Sequence, residues 1–588
     1  MMNGSPLANR LGLRLAARTA IILALLGACS AQSQSPQVAL AGPGSFSDLT
    51  AEAGRANGFS LGDYLAGSYA LNVGELDQAT VFLERALAAD PASPDLTRQV
   101  FLLALADGRY DRAIELAEGI GARPPADEEA QLLLALNDAR AGRFDAAREG
   151  LGRLNEGGIA GLVVPFLDAW AMFGDEGEDA TERSLARLEQ GESLGPLNVY
   201  HAAMLLDLAG RGDRAEAMLR DGMPDDRPAP VRLVQAQASL LARQGDTDAA
   251  LRLVREQVAE RPDQPVLESV LAELEAGRSL PPPFDSATGG MADALWGIAQ
   301  ALHQEQGGAR AVLYARLALF LKPDLAEATL LIGDVFVDQQ NFDAAIDTYE
   351  GIDDASPISF AGKLRIASAL HELDRKEQAF QLLEGLVAAE PERIQALVQL
   401  GNLLRRDEDY ARAETAYSRA IERLGTPERE DWTLFYARGI AYERTKQWPR
   451  AEADFLQALE LEPEQPFVLN YLGYSWVDMG MRLDEARAML DRAIALRPND
   501  GFIVDSVGWV HYRLGEYPQA VETLERAVEL EPGDPVINDH LGDAYWRVGR
   551  QREARYQWQR TLTLEPDADL IETIEQKLKS GLPAPDRA

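Results

Sequence analysis

One cysteine and five histidines are the side chains in this sequence that most often carry nucleophilic or metal chemistry. Cys29 is the single cysteine among 588 residues, so an internal disulfide is excluded. The histidines are scattered, and no two lie one helical turn apart: His201, His303, His371, His511 and His540. HExxH and P-loop motifs are absent from the sequence. The sequence therefore predicts no metal site, no cofactor and no enzymatic activity.

The residues before Cys29 indicate an export signal. Three arginines precede a mostly apolar run of nine residues, 20–28, and the whole segment lacks Asp and Glu. Nine residues rise only about 14 Å as an α-helix, less than half of a roughly 30 Å hydrocarbon core. So short a segment is typical of a cleaved signal peptide rather than of a permanent membrane span.

The motif LGAC, residues 26–29, resembles the lipobox of bacterial lipoproteins. That resemblance implies cleavage before Cys29, diacylglycerol on its sulfur and a further acyl chain on the new amino group, and several acyl chains anchor a protein stably. Ser30, rather than Asp, resembles the sorting signal for the outer membrane of a Gram-negative cell. We therefore expect a lipoprotein signal peptide at 1–28 and a lipidated, flexible tether at 29–58, on the periplasmic face. An organellar transit peptide, with Cys29 present by chance, is the alternative.

Prolines recur at steps of 34 residues along the body of the chain, at Pro91 and Pro125, at Pro323, Pro357 and Pro391, and at Pro498, Pro532 and Pro566. A fixed period of this length indicates stacked helical hairpins. In residues 535–566, Gly542 and Ala554 leave room for two helices to approach, and Gly549 ends the first helix. The pattern resembles the tetratricopeptide repeat (TPR). It implies an all-α solenoid of about 12–14 helical hairpins, a superhelix in two segments.

Domain boundaries follow from the repeats and from one break in composition. We expect a TPR-like array at 59–276, degenerate over 155–195, and a second array at 291–566. The Pro- and Gly-rich segment 277–290 is predicted to link them. After it, residues 567–588 are predicted to contain a helix that covers the last hydrophobic face, followed by a tail.

The resemblance also predicts a binding groove, because the first helix of every TPR unit lines the concave side. Carried onto the last four units, the lining columns fall on aromatic and charged residues: Tyr436, Glu443, Arg444, Asn470, Tyr474, Asp478, Asp505, Trp509, Tyr512, Arg513, Asp539, Asp543, Trp546 and Arg547. Trp509 and Trp546 either meet a partner or pack on a neighbour. The charges suit an extended or helical protein segment, or they form a solvated ladder of little energetic worth. A clamp for a terminal carboxylate is not expected, since Asn402 lacks polar companions at Val398 and Ala437.

These observations predict a non-catalytic scaffold or assembly adaptor that binds envelope proteins in the TPR groove. A glycan-binding accessory subunit of a polysaccharide or peptidoglycan system is the alternative, because stacked aromatic rings also suit sugars. The net charge of −37 repels nucleic acid, and it serves either solubility or a basic partner. Self-association remains open from the sequence.

Overall fold

The computed structural model describes residues 61–72, 75–121, 127–154, 158–190, 195–223, 229–260, 264–305 and 307–583. Cys29, the predicted signal peptide and the predicted tether lie outside the described residues. All regular secondary structure in the described ranges is helical. The chain forms two compact units, and the division falls between Ala379 and Phe380, inside the helix Lys376–Ala389.

The N-terminal unit contains eighteen α-helices before that boundary helix, which are α1 (Leu61–Asn72), α2 (Leu76–Ala89), α3 (Pro94–Ala106), α4 (Tyr110–Gly121), α5 (Glu128–Arg140), α6 (Phe144–Leu151), α7 (Gly158–Glu176), α8 (Thr181–Gln190), α9 (Pro196–Leu208), α10 (Gly212–Asp221), α11 (Val231–Gln244), α12 (Thr247–Glu260), α13 (Pro265–Glu275), α14 (Ala287–Gln304), α15 (Gly308–Leu321), α16 (Ala326–Asp338), α17 (Phe342–Glu350) and α18 (Ser359–Glu372) within the described residues. A short 3-10 helix, Gly177–Ala180, joins α7 to α8.

The boundary helix is α19 (Lys376–Ala389). The C-terminal unit continues with α20 (Gln395–Arg406), α21 (Tyr410–Arg423), α22 (Trp432–Arg444), α23 (Trp448–Leu461), α24 (Pro466–Asp478), α25 (Leu483–Leu496), α26 (Gly501–Arg513), α27 (Tyr517–Leu530), α28 (Pro535–Arg547), α29 (Gln551–Thr561) and α30 (Ala568–Ser580). A 3-10 helix, Arg429–Asp431, precedes α22. Each first helix packs against the second helix of its hairpin, as α26 does on α27 and α28 on α29.

Local signals explain where these helices begin and end. In the last hairpin, the Asp534 side chain accepts hydrogen bonds from two backbone amides of the first turn of α28, and Pro535 occupies the first helical position. Gly549 has φ +83°, a conformation cheap only for glycine, and it follows the end of α28 as predicted. A Cβ at Gly542 would lie 2.5 Å from Trp558 Nε1, so this glycine allows the second helix to pack closely. The all-α fold of TPR helical hairpins is therefore confirmed.

In the N-terminal unit, the α14–α15 hairpin packs on the first helices of the preceding hairpins. α14 contacts α7 and α9, and α15 contacts α3 and α5. Residues 277–286 of the predicted linker are not helical, and α14 begins at Ala287. Both sides of that linker thus belong to one compact unit, and the division between the units lies about a hundred residues later, at Phe380.

Within the poorly fitting stretch 155–195, the described residues 158–190 form a long hairpin of α7 and α8, which packs on an aromatic and charged core. Trp170 is fully buried, and its indole donates to His201 Nδ1 at 3.1 Å. Arg232 pairs with Asp293 at 2.8 Å and lies 3.6 Å from the Trp296 ring centroid. Burial lowers the pKa of His201 well below its usual value, so the imidazole stays neutral. These contacts are those of a packed core.

One described helical stretch, Gly158–Glu189, is long and apolar enough by composition to cross a membrane. Ten residues between Ala160 and Met172 are buried within the N-terminal unit. A core helix of a folded unit passes the same test of length and composition. Packing inside the unit accounts for its apolar residues.

Candidate functional site

The predicted groove residues lie on α22, α24, α26 and α28, the first helices of the last four hairpins. We call the side on which these helices lie the first-helix face. Side chains 35 residues apart connect neighbouring first helices: Arg513 with Asp478, His540 with Asp505, and Arg547 with Tyr512. A spacing of one repeat plus one residue thus produces a ladder of contacts along this face.

Trp509 stacks on two neighbours and still keeps part of its surface exposed. Its ring centroid lies 4.6 Å from that of Tyr512 at an interplanar angle of 7°, and 4.0 Å from that of His540 at 16°. The Tyr512 ring makes an edge contact with Tyr517 at 5.5 Å. Trp509 therefore packs on its neighbours, one of the two alternatives left open by the sequence, and this packing holds the half-buried indole in a fixed orientation.

Asp505 and His540 form a buried pair beneath that indole. Asp505 is fully buried, and both of its carboxylate oxygens lie 3.0 Å from His540 Nδ1. Burial by itself would lower the pKa of His540, but the charge and hydrogen bond of Asp505, together with the charges of Asp539 and Asp543, outweigh burial and raise the pKa. Asp505 is thus occupied by an intramolecular contact. His540 was not among the predicted site residues, although its 35-residue distance from Asp505 was a usable signal.

Asp539 and Asp543 are also covered, in their case by Lys577 from α30. The ammonium lies 2.7 Å from the Asp539 carboxylate and 2.8 Å from the Asp543 carboxylate. All three side chains are nearly buried, with 12% of Lys577, 9% of Asp539 and 8% of Asp543 exposed. The Trp558 indole donates to Asp543 at 3.0 Å. This is a buried ion-pair cluster and not the solvated ladder that the sequence left open.

Burial and the adjacent Asp539 charge raise the pKa of Asp543 to about 6, against the opposing effect of Lys577. Burial would lower the pKa of Lys577, but the two aspartates outweigh it and raise the pKa. The ammonium therefore remains charged at neutral pH. Sequence reasoning missed Lys577 because it lies on the helix after the last repeat, beyond the aligned columns.

Residues after α30 also pack against α28. Trp546 packs against Trp558 with ring centroids 5.4 Å apart, and a Cβ at Gly581 would lie 2.0 Å from the Trp546 ring. Arg547 donates to the Tyr512 hydroxyl at 3.1 Å and to the Pro583 carbonyl. The predicted groove residues on α28 therefore make contacts within this chain.

The predicted residues on α22 and α24 keep more access. Tyr436 is half-buried between aromatic neighbours, with ring centroids 6.0 Å from Trp432 and 5.9 Å from Tyr471, and burial raises its pKa to about 12. Tyr474 is likewise half-buried. The Asn470 Oδ1 atom is buried and has no hydrogen-bond partner among the described residues. Such an acceptor is available to a donor that enters the groove.

The charged groove residues on α22, α24 and α26 form ion pairs that are exposed or lie between chain neighbours: Arg513 with Asp478, and Glu443 with Arg444. Arg513 lies 3.0 Å from Asp478, and with 32% and 48% of these side chains exposed the pair contributes little to stability. Glu443 accepts from the Tyr471 hydroxyl at 3.2 Å and lies 3.5 Å from Arg444.

Asn402, the one residue in a column typical of carboxylate clamps, has an internal partner. The Tyr417 hydroxyl donates to its side-chain oxygen at 2.8 Å. Trp476 and Trp558 are fully buried. Their burial supports leaving them out of the groove.

Family models identify the repeats. Residues 330–394, 398–467 and 436–501 match a model described as Tetratricopeptide repeat, and residues 508–549 match one described as TPR repeat. The chain therefore contains tetratricopeptide repeats, as the 34-residue period predicted. Both are repeat models, and neither describes a catalytic family.

Individual relatives share only part of this chain. A TPR repeat-containing protein of Pseudomonas aeruginosa is 27% identical over 190 residues, which are 32% of this chain and 31% of the relative. The general transcriptional corepressor ssn6 of Schizosaccharomyces pombe is 29% identical over 132 residues, 22% of this chain and 12% of the relative. Among solved structures, that of the APC/C hetero-tetramer Cut9-Hcn1 has a TM-score of 0.37 and 14% identity, covering 89% of this chain and 96% of that chain.

Proposed function

We propose that this protein is a non-catalytic scaffold or assembly adaptor, anchored through Cys29 at the outer membrane and facing the periplasm. It binds segments of other envelope proteins on the first-helix face of α22, α24 and α26. Tetratricopeptide repeats act as protein-interaction scaffolds, and this supports the general class. The anchor rests on the lipobox-like residues 26–29.

The observation that carries the proposed groove is the stacked arrangement of Trp509 on Tyr512 and His540. A half-exposed indole that is already held in place loses little conformational freedom when a partner covers it. Aromatic side chains of this kind dominate the binding energy of many interfaces. Asn470 adds a buried acceptor on the neighbouring helix. Asp539 and Asp543 are left out of the proposed contact surface, because Lys577 of α30 covers them. Trp546 and Arg547 are half-buried and contact residues after α30, so the proposal does not depend on them.

Site-specific photo-crosslinking in cells tests the groove. A photoreactive phenylalanine analogue replaces Tyr474 on the first-helix face, and in a matched control it replaces Tyr556 on α29, which is 63% exposed. We expect a discrete envelope protein to crosslink from position 474 and not from position 556. Trp509→Ala in the same chain should abolish that product.

Equal products from both positions, or a product that survives Trp509→Ala, would contradict the proposed groove. Competition by soluble peptidoglycan fragments, with no protein product, would instead favour the glycan-binding alternative.

The anchor needs a separate test. Cys29→Ser removes the thiol that would receive diacylglycerol, so labelling with a palmitate analogue should be lost and the protein should leave the outer-membrane fraction. Ser30→Asp keeps the thiol and serves as the matched variant, which should remain labelled but change membrane. Unchanged labelling of the Cys29→Ser chain would refute lipidation at this residue.

A further inference from the structure

A cleft of about 740 Å³ lies in the N-terminal unit, between the ends of α3–α5 and α15 on one side and α17 on the other. We call it the Arg140–Arg316 cleft after the two arginines in its lining. Its volume falls within the range of about 300–1,000 Å³ typical of ligand sites. None of its lining residues belongs to the first-helix face of the C-terminal unit. It is therefore a separate surface from the groove proposed above.

Two guanidinium groups on one wall have no carboxylate partner. Arg140 lies 4.7 Å from the Phe320 ring centroid, and its side chain forms no ion pair with any described residue. Arg316 donates from Nε to the Ala106 carbonyl at 2.7 Å and likewise lacks an ion pair within the described ranges. Burial lowers the pKa of Arg316, and the nearby Tyr110 and Asp107 oppose this shift. Asp107 itself pairs with Arg109 at 2.9 Å and is not a counter-ion in contact with Arg316. An anionic ligand group would supply that counter-ion.

Aromatic contacts join the helices that form this wall. Tyr110 donates from its hydroxyl to the Arg316 carbonyl at 2.9 Å, and its ring lies 5.1 Å from that of Phe320. The wall is thus built by helices distant in sequence and is arranged before any ligand arrives. Preorganised donors of this kind favour carboxylate over water.

An apolar recess of about 110 Å³ adjoins the cleft and shares Leu76, Ala106 and Phe336 with it. Its remaining lining is mostly leucine and valine. The Gln99 side-chain oxygen lines the recess, is buried and has no hydrogen-bond partner among the described residues. Cavities of similar size accept an apolar group about as large as benzene, and the Gln99 oxygen suits a backbone N–H beside that group.

The opposite wall is acidic. Asp343 and Asp347 stand one turn apart on α17, where like charges repel. Asp347 has no ion-pair partner within the described residues, and Asp343 is 77% exposed and 3.9 Å from Arg375. A cation between the two aspartates would relieve their repulsion.

We propose that the Arg140–Arg316 cleft binds a short, extended segment of a partner protein with three features. A bulky apolar side chain fills the recess, an adjacent Asp or Glu pairs with Arg140 and Arg316, and a Lys or Arg reaches Asp343 and Asp347. The complementary charges on the two walls and the recess between the helices carry this assignment. The backbone N–H of the apolar residue donates to Gln99.

Peptide selection on the mature full-length chain tests this proposal. A phage-displayed library of random peptides is selected on the immobilised protein, and the enriched sequence is synthesised with a fluorophore for anisotropy titration. Arg140→Glu should weaken binding of that peptide by roughly tenfold or more, because it replaces attraction by repulsion. Arg153→Glu is the matched control. Arg153 is 63% exposed, lies outside the cleft and pairs with Glu149, so affinity should not change.

A charge reversal separates lost binding from lost folding. The same peptide with its acidic residue replaced by lysine should bind the Arg140→Glu chain more tightly than the original chain. Ala309→Phe, which fills the recess, should remove the preference for a bulky apolar residue. Selection that enriches no peptide, enriches peptides without an acidic residue, or yields peptides that bind the Arg140→Glu chain with unchanged affinity overturns the proposal.

Discussion

Replacing Lys577 by methionine removes the cation that lies between two buried aspartates while nearly keeping the side-chain volume. The ammonium is 2.7 Å from Asp539 and 2.8 Å from Asp543, and all three side chains are at most 12% exposed. Removing one partner of a buried ion pair costs about 3–5 kcal/mol, because the remaining charge is left unpaired. Asp543 can relieve part of that cost by taking up a proton, since its pKa is already raised to about 6. We therefore expect a loss of about 3 kcal/mol at pH 8 and a smaller loss at pH 5.

Hydrogen exchange followed by mass spectrometry measures this loss locally, which suits a repeat protein whose units open separately. Amides of α30 should exchange roughly a hundredfold faster at pH 8 in the Lys577→Met chain, after correction for the intrinsic rate, since each 1.4 kcal/mol is about tenfold. Lys579→Met is the matched control. Lys579 is 77% exposed and 3.7 Å from Glu575, so its loss should cost less than about 0.5 kcal/mol.

Adding Asp543→Asn to the Lys577→Met chain should recover part of the protection, because it removes one unpaired charge. Equal exchange in the Lys577→Met and Lys579→Met chains would refute the reasoning. So would an acceleration that is as large at pH 5 as at pH 8.

Three further substitutions test the packing and the electrostatics of the two units. The Asp505 carboxylate raises the pKa of His540, so their pairing stabilises the fold below the unfolded histidine pKa of about 6.5 and is lost as pH rises through the folded value. His540→Gln should therefore destabilise the C-terminal unit more at pH 6 than at pH 9 in urea titrations, and an effect independent of pH would contradict this. Gly542→Ala places a Cβ 2.5 Å from Trp558 and should cost about 1–3 kcal/mol, seen as faster exchange in α28 and α29. Trp170→Ala empties a fully buried site and should cost about 3–5 kcal/mol in thermal unfolding of the N-terminal unit, and an unchanged midpoint would argue against the packed core around α7.

Helical hairpins and their internal packing were predictable because their signals are local. Pro535 begins α28, Gly549 follows its end, and Gly542 faces Trp558 across the hairpin. Each of these features involves residues fewer than twenty positions apart, and related features occur in the preceding unit, where Gly515 follows α26 and Gly508 faces Leu524. A period in the sequence is enough to locate them.

The candidate site was predictable only in part. Repeat columns placed Asp505 and Asp543 on the first helices, but they did not show that His540 and Lys577 would cover these carboxylates. In the N-terminal unit, Tyr110 bonds to Arg316, 206 residues away, and no alignment of repeats indicates that contact. That hydrogen bond joins α4 to α15, and both residues line the Arg140–Arg316 cleft.

The sequence by itself determined the class of elements, their period, the small residues at each helix crossing and the faces that carry aromatic and charged groups. Tertiary structure alone decided which of those groups stay accessible. Trp509 is half-buried, the aspartates on α28 are covered, and two arginines in the N-terminal cleft form no ion pair within the described residues. The physical reason is that propensity, capping and close helix packing act between near neighbours in the chain. Burial and charge pairing depend instead on which distant helices meet, and that is a property of the folded chain as a whole.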